Sequence, residues 1–299
     1  PLAYPQPVFG LALITKKPAD EQKLSEALAR LADEDPCLEV SYDARARRTV
    51  VRGLGEQHLK IVLDELATRW NLQLDTAPPA IPYRETITEV AEARYRHKKQ
   101  SGGAGQFGEV ALRVEPLARG MGLQLGNEVK GGAIPTNYLP AVEKGVRQAL
   151  QEGAFAGFPI QDLRVVVTDG KHHTVDSNEV SFATAARHAL IEAVRAARPQ
   201  VLEPMLDLQV KVADALFGEV SGELAGRRGR LTRTDSPAAG RMVISARVPM
   251  SEMDGFESRL KAICSGESEF VLEAGGYEPV PPEVQVALSR SFAGQDDDR

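Results

Sequence analysis

The chain has 299 residues, 42% of them hydrophobic and 26% charged, and its formal net charge at pH 7 is −6. This composition is typical of globular domains and excludes a protein that coats nucleic acid with its whole surface, although a local basic patch is compatible with it. No apolar run approaches the roughly 20 residues that cross a bilayer, which argues against a membrane protein and favours the cytoplasm. Because the first residue is Pro rather than Met, we expect an excised or processed piece of a longer chain.

Strand and helix signals alternate in the first part of the chain, which we assign to residues 1–77. Leu24, Leu28 and Leu31 recur at helical spacing, and Pro36 ends that helix. The order of elements is βαββαβ, which predicts a ferredoxin-like module with two helices on one face of an antiparallel sheet. The predicted elements are a strand at 8–14, a helix before Pro36, strands at 38–42 and 49–53, a helix from 56 and a strand at 72–74.

A proline cluster at 78–82 breaks regular structure and predicts a linker to a second domain, residues 78–200. Its most unusual stretch, 94–108, combines a dense basic run with a glycine-rich turn. The predicted elements around it are strands at 87–93 and 109–115, a helix over 141–150, a strand at 163–168 and an alanine-rich helix over 179–195.

Prolines from Pro199 to Pro204 mark a second junction, and the βαββαβ order then recurs in residues 201–288. The predicted elements are strands at 205–212, 230–234, 242–248 and 269–273, with helices at 214–224 and 251–263. A short helix from Pro281 closes the domain, and residues 289–299 are predicted to be a disordered tail. The expected fold is therefore α+β, with two ferredoxin-like modules on either side of a central α/β domain in the chain.

The glycine-rich turn imitates a cofactor motif, because Gly103, Gly105 and Gly108 have the spacing of a dinucleotide-binding loop. That loop must lead into a helix that holds the pyrophosphate, whereas here a strand pattern follows at 109–115. We favour a β-hairpin with a flexible basic loop whose exposed N–H groups and lysines contact phosphates. The plainer alternative is a solvated strand edge on which lysine discourages aggregation.

A histidine pair and an arginine cluster also stand out in the sequence. His172 and His173 follow the predicted strand at 163–168, but adjacent strand residues point to opposite faces and no third soft ligand is near, so we predict no metal site. Arg227, Arg228 and Arg230 follow a helix that ends near Gly226. An alternative role is to neutralise the partial negative charge at the helix C-terminus. That role would explain one arginine but not a cluster of three.

No catalytic constellation is recognisable. The Walker pattern G-x-x-x-x-G-K-[ST] is absent, no carboxylate pair stands out, and we predict no enzymatic activity and no cofactor for this chain. Two alternatives stay open. One is a small-molecule enzyme, since phosphotransferases share the predicted central topology, and the other is a scaffold that binds protein partners.

Many motifs occur in an order that resembles bacterial elongation factor G over residues 7–288. Those resembling its domain IV are QSGGAGQFG at 100–108, GAIP at 132–135, PAVEKG at 140–145, GFP at 157–159, DG at 169–170 and VDS at 175–177. Those resembling domain III are EDP at 34–36, GLGE at 53–56 and HL at 58–59, and RRG at 227–229 resembles domain V.

The resemblance implies the C-terminal part of a translational GTPase, whose central domain has a left-handed βαβ topology. The GTPase domain, with its GTP and Mg²⁺, would precede residue 1. The implied partners are the ribosome, through ribosomal RNA and ribosomal proteins, and the tRNA–mRNA region near the decoding centre, reached by the tip of domain IV. We further expect a monomer that contacts no membrane.

From the motifs and the resemblance together we predict one nucleic-acid-binding set. Its members are Lys98, Lys99, Gln100, Gly102, Gly103, Gly105, Gln106, His172, His173, Arg227, Arg228 and Arg230. Ala104 departs from the family's common arginine, His172 from its typical tyrosine and Gln57 from its typical leucine, while the run 96–99 resembles divergent elongation factor G-like paralogues. Whether the parent protein translocates, recycles or protects ribosomes stays open.

Overall fold

The computed structural model describes residues 7, 9–43, 46–99, 105–238 and 240–296. These residues belong to two compact units. The first unit contains Pro1–Ile81 and Pro204–Gly276, and the second contains Pro82–Glu203 and Tyr277–Arg299. The domain boundaries drawn from the sequence stay predictions. Within the described part of the chain, no helix has the length and apolar character needed to span a membrane.

The N-terminal module, in the first unit, is a four-stranded sheet of order β2-β3-β1-β4 with two helices. All of its strand pairs are antiparallel. Leu28, Leu59 and Leu66 are fully buried in its core, as the helical spacing of the leucines predicts. The elements are β1 (Phe9–Thr15), α1 (Asp20–Glu34), β2 (Glu39–Asp43), β3 (Arg48–Gly53), α2 (Glu56–Thr68) and β4 (Leu74–Ala77).

The central domain, in the second unit, has a sheet of order β6-β7-β9-β8, in which only β8 and β9 are parallel. Helix α3 lies between these parallel strands in the chain, so the three form a βαβ unit. Helices α3 and α4 touch closely, because a Cβ on Gly145 would lie 2.1 Å from the carbonyl oxygen of Ala183. The elements are β5 (Arg84–Ile87), β6 (Ala91–Lys99), β7 (Gln106–Pro116), β8 (Leu123–Asn127), α3 (Leu139–Glu152), β9 (Leu163–Lys171) and α4 (Glu179–Ala196).

Strand β6 differs from its prediction. The sequence predicts a strand only as far as Ala93, whereas β6 continues through the basic run to Lys99. Its residues alternate between half-buried and exposed as far as Lys98, so the charged side chains occupy the outer face of a regular strand. The basic residues up to Lys99 therefore have fixed backbone positions rather than belonging to a flexible loop.

The C-terminal module repeats the first arrangement, with strand order β11-β12-β10-β13. Leu208, Leu224, Ile244 and Phe256 are buried in its core. The first residues of β10 pair with β5 in the second unit, and those from Met205 onward pair with β12 in the first unit. The elements are β10 (Pro199–Ala213), α5 (Phe217–Gly226), β11 (Arg230–Ala238), β12 (Arg241–Pro249), α6 (Phe256–Ile263) and β13 (Glu269–Pro279).

The closing helix, α7 (Pro282–Asp296), belongs to the second unit. Val284 and Leu288 pack against the buried side chains of Val201 and Val280. The helix extends well into the range 289–299, for which the sequence predicts a disordered tail. With two βαββαβ modules before and after a central α/β domain in the chain, the predicted α+β fold class is confirmed.

Candidate nucleic-acid interface

The end of the β6–β7 hairpin carries the first group of predicted residues. Lys99 lies opposite Gln106 and Lys98 opposite Phe107 in the antiparallel register. Both lysines are exposed. Gln106 is held in place by a side-chain contact of 3.0 Å between its Oε1 and Nε2 of His97. The end of a regular ladder thus carries two exposed lysines that are adjacent in sequence.

The two arginines that precede these lysines are bound within the sheet. The carboxylate of Glu109, whose side chain is 2% exposed, accepts hydrogen bonds from both Arg94 and Arg96. Arg94 also donates to Asp169 at 2.6 Å. Burial alone would raise the pKa of Glu109, but hydrogen bonds from the two guanidinium groups outweigh it and hold that pKa below its ordinary value.

Lys98 and Lys99 differ from those arginines, because neither forms an ion pair with any residue that the structure describes. Of the basic run, the arginine charges are therefore largely neutralised by internal carboxylates, whereas the lysine charges face solvent. The sequence did not reveal this division. Arg96 and Glu109 are direct cross-strand partners, so counting the register of the hairpin would have found it.

The second group lies where β9 ends at Lys171 and the chain turns back to α4. Asn178 begins that helix, and its side chain accepts a hydrogen bond from the Ser181 N–H. Nδ1 of His173 lies 3.3 Å from the backbone N–H groups of Val175 and Asp176, which places it as an acceptor inside its own loop. The loop 172–175 is exposed throughout.

Two hydrogen bonds to the backbone of Phe107 hold this histidine loop against the hairpin. The N–H of Phe107 donates to the carbonyl oxygen of Asp176 at 2.8 Å, and the Ser177 hydroxyl donates to the carbonyl oxygen of Phe107 at 2.9 Å. A Cβ on Gly105 would lie 2.6 Å from Oδ1 of Asp176, so the glycine allows a close approach. We call the surface formed by the exposed Lys98, Lys99, His172 and His173 together with the half-buried Gln106 the tip surface.

The tip surface unites two predicted loops that are more than 60 residues apart in sequence. It includes no complete metal site, since the described residues contain no group of three His, Cys, Asp or Glu side chains that could hold an ion. Gln100, Gly102 and Gly103, together with Ala104, lie outside the described residues, and their proposed contacts stay predictions. The tip surface offers cationic and imidazole groups that suit phosphates and nucleobases.

Arg227 has a different environment. Its side chain is 18% exposed, donates to Glu223 at 2.6 Å and to the carbonyl oxygens of Glu252 and Asp254, and lies over the ring of Phe256. The hydrogen bond from Arg227 also lowers the pKa of Glu223. Arg227 therefore stabilises the turn before α6.

Its neighbours Arg228 and Arg230 differ in their exposure. Arg228 donates to Oε1 of Glu252 at 2.8 Å and to the hydroxyl of Ser251 at 3.0 Å. Arg230 is exposed at the start of β11, opposite Arg247. Nucleic-acid contact by the three arginines stays a prediction, and for Arg227 and Arg228 it would compete with these internal bonds.

Comparison with known proteins agrees with this domain order. Three family models match consecutive segments, which are elongation factor G domain III at 4–78, domain IV at 79–198 and the elongation factor G C-terminus at 200–288. An elongation factor G-like protein of Thermotoga maritima is 41% identical over 288 residues, which are 96% of this chain and 42% of that protein.

A crystal structure from Thermus thermophilus has the same fold, with a TM-score of 0.84 and 33% identity over 98% of this chain and 44% of that one. The chain thus spans less than half the length of these two relatives. The three matched segments follow one another along the chain in the order that the sequence predicts. The chain belongs to the elongation factor G family, of which it carries domain III, domain IV and the C-terminal domain.

Proposed function

We propose that this chain is the ribosome-binding C-terminal part of an elongation factor G-like translational GTPase. In this proposal a domain outside the sequence binds GTP and Mg²⁺ and hydrolyses the nucleotide. The present domains couple that hydrolysis to movement or remodelling on the ribosome. The protein acts in the cytoplasm as a monomer, and domain IV approaches the tRNA–mRNA region near the decoding centre.

The observation that supports this proposal best is the free charge of the tip surface. Lys98 and Lys99 stand at the end of the hairpin without an ion-pair partner among the described residues, next to the exposed His172 and His173. Lysines whose charge is free in this way can neutralise phosphates and release counterions, which is the main sequence-independent source of affinity for RNA. The overall charge of −6 confines such contacts to local surfaces of this kind.

The test is the salt dependence of ribosome binding by the chain. Each phosphate contact contributes a slope of about −0.7 to −0.9 in a plot of log affinity against log salt concentration. We expect the double variant Lys98→Ala and Lys99→Ala to flatten that slope by about 1 to 2 and to bind about tenfold or more weakly near 0.1 M salt. Its thermal unfolding should be unchanged, because both side chains are exposed.

A matched control removes the same charge elsewhere. Lys23 and Lys60 are exposed lysines on α1 and α2, and replacing both by Ala should leave the affinity and the slope near their wild-type values. Equal losses in the two double variants would show that net charge, and not the tip surface, governs binding. The wild-type chain would instead be a scaffold for protein partners if its ribosome binding did not depend on salt. The same would follow if free ribosomal RNA did not compete with the ribosome for the chain.

A further inference from the structure

The β7–β9 ladder ends before the tip surface begins. Glu109 pairs with Lys171 in the last register position, and β9 does not continue to cover Phe107. Asp176 and Ser177 take the place of the missing strand, because the Asp176 carbonyl accepts from the Phe107 N–H and the Ser177 hydroxyl donates to the Phe107 carbonyl. Both backbone groups of Phe107 are therefore satisfied by the second loop.

Ser177 also closes the histidine loop. The Ser177 hydroxyl oxygen accepts from the His173 N–H at 2.8 Å, and the backbone N–H of Ser177 donates to the His173 carbonyl oxygen at 3.2 Å. One hydroxyl thus acts as acceptor toward one loop and as donor toward the other, and an alanine could do neither.

The core of the domain fixes this junction. The Tyr138 hydroxyl donates to the carbonyl oxygen of Ser177 at 3.0 Å, and the Tyr138 ring stacks on buried Phe182 with the ring centres 4.9 Å apart. Tyr138 precedes α3 and Phe182 lies on α4, so Ser177 is anchored to both helices. The residues 174 and 175 at the apex of the loop lack such anchors and are exposed.

We propose that Ser177 is a positioning residue that joins the histidine loop and the start of β7 into one rigid body. The lysines of the hairpin and the two histidines then meet a polyanion at fixed spacing, without the loss of loop entropy that binding would otherwise require. The rigid connection is a property of the free chain, and only its effect on binding rests on the proposed function.

Amide hydrogen exchange of the free chain, resolved by residue, tests the connection. In Ser177→Ala the His173 N–H loses its acceptor and the Phe107 carbonyl oxygen loses its donor. We therefore expect the amides of His173 in the histidine loop and of Phe107 in β7 to exchange together and about tenfold faster, as the loss of a hydrogen bond worth roughly 1 to 1.5 kcal/mol implies. The amides of Val110 and Leu112 in the middle of β7 should keep their rates. Ser177→Thr retains the hydroxyl and should restore slow exchange.

Ribosome binding tests the positioning role. Ser177→Ala changes no charge, so we expect an affinity loss of about tenfold with an unchanged salt slope, unlike the lysine variants. Ser177→Thr should recover the affinity. Ser181→Ala is the matched control. Among the described residues its hydroxyl bonds only within the helix cap, to Asn178, so its loss should leave tip binding intact.

Four results would overturn the inference in whole or in part. Wild-type exchange at both amides in Ser177→Ala, or faster exchange at only one of the two amides, excludes the rigid connection. Faster exchange in both loops with wild-type ribosome affinity excludes the positioning role. If the wild-type chain itself fails to bind ribosomes, the proposed function and the positioning role both fail, while the exchange data still decide the connection.

Discussion

The tip surface and the arginine cluster at 227–230 are both basic in sequence, but their charges have different surroundings in the structure. At the tip, Lys98 and Lys99 face solvent without an ion pair among the described residues. In the C-terminal module, Arg227 and Arg228 direct their guanidinium groups to carboxylates and carbonyl oxygens of the turn before α6. A basic run therefore predicts binding to a polyanion only where its charges are not already paired with groups of the protein itself.

The chemistry of the side chains explains the difference. A guanidinium group has five donors in a rigid plane, which suits it to bridge several oxygens at once, as Arg227 does with Glu223, Glu252 and Asp254. A lysine ammonium is a strongly hydrated point charge on a flexible stem, and it is readily left at the surface. Within the hairpin the same division separates Arg94 and Arg96 from the two lysines that follow them.

The largest expected effect comes from removing Arg227. Arg227→Ala takes four hydrogen-bonding or ring contacts from a side chain that is 18% exposed and leaves carbonyl oxygens without a donor. We expect the free energy of unfolding to fall by about 2 to 4 kcal/mol, and Arg227→Lys to recover only part of it. Urea denaturation followed by circular dichroism measures the loss.

Arg233→Ala serves as the control for Arg227. Arg233 is on the same module, its side chain is 73% exposed and it pairs with Asp235, so its loss should change stability by less than about 0.5 kcal/mol. The comparison between the two basic regions fails if Arg227→Ala unfolds like the wild type but binds ribosomes more weakly. Arg227 would then be a contact of the same kind as the tip lysines.

A second variant should release Arg94 and Arg96 from the Glu109 carboxylate that binds them. Glu109→Gln removes the carboxylate that neutralises Arg94 and Arg96, and the neutral amide accepts fewer and weaker hydrogen bonds. We expect a stability loss of about 1 to 3 kcal/mol, together with a salt slope of ribosome binding that becomes steeper by up to about 1. Affinity measurements at several salt concentrations, made below the unfolding transition, separate the two effects.

Glu92→Gln is the matched control for Glu109→Gln. Glu92 lies on the same hairpin, its side chain is 66% exposed and it is 4.0 Å from Arg113, so it should affect neither stability nor the slope appreciably. A wild-type slope in Glu109→Gln would mean that Arg94 and Arg96 remain bound, for example through the Asp169 carboxylate. Free charge at the tip would then be limited to the lysines.

The sequence predicts the fold well where periodicity is strong, and poorly where structure depends on distant partners. Both βαββαβ modules follow from leucine spacing and strand alternation. Strands β5 and β8 were missed because they have only four and five residues, too few to establish a pattern of apolar alternation. The tip surface was located by composition and resemblance. Its joining residue, Ser177, was seen only as part of a motif, since its partners Phe107 and Tyr138 lie 70 and 39 residues away.

The partners of Arg227 could not have been predicted either, because a local pattern suggests only that a cation follows a helix. Glu252 and Asp254 are 25 and 27 residues further along the chain, and they contribute backbone oxygens that no side-chain motif reveals. For the same reason the internal neutralisation of Arg94 by Asp169, 75 residues away, is a property of the assembled sheet. The number of basic residues in the sequence sets an upper limit on the positive charge that is available to a partner. The internal bonds of the tertiary structure determine how much of that charge remains available.

The smallest expected effect extends the comparison to histidines. His188 on α4 is half-buried and stacks on Tyr95, with ring centres 4.6 Å apart, whereas His172 is exposed. Burial lowers the pKa of His188, and the nearby charges of Arg187 and His97 lower it further, against Glu192, which raises it.

The unfolded chain binds a proton at His188 more readily than the folded chain does. The contribution of His188 to stability is therefore complete above about pH 6.5 and is lost as the pH falls through the folded pKa. Between pH 7.5 and 5 we expect the unfolding midpoint of the chain to fall by up to about 2 °C from this cause. His188→Gln should remove that part of the pH dependence, and the exposed control His172→Gln should retain it. If both substitutions changed the pH dependence of the unfolding midpoint equally, the packed His188 and the exposed His172 would not differ in the way that the bound arginines and the exposed lysines do.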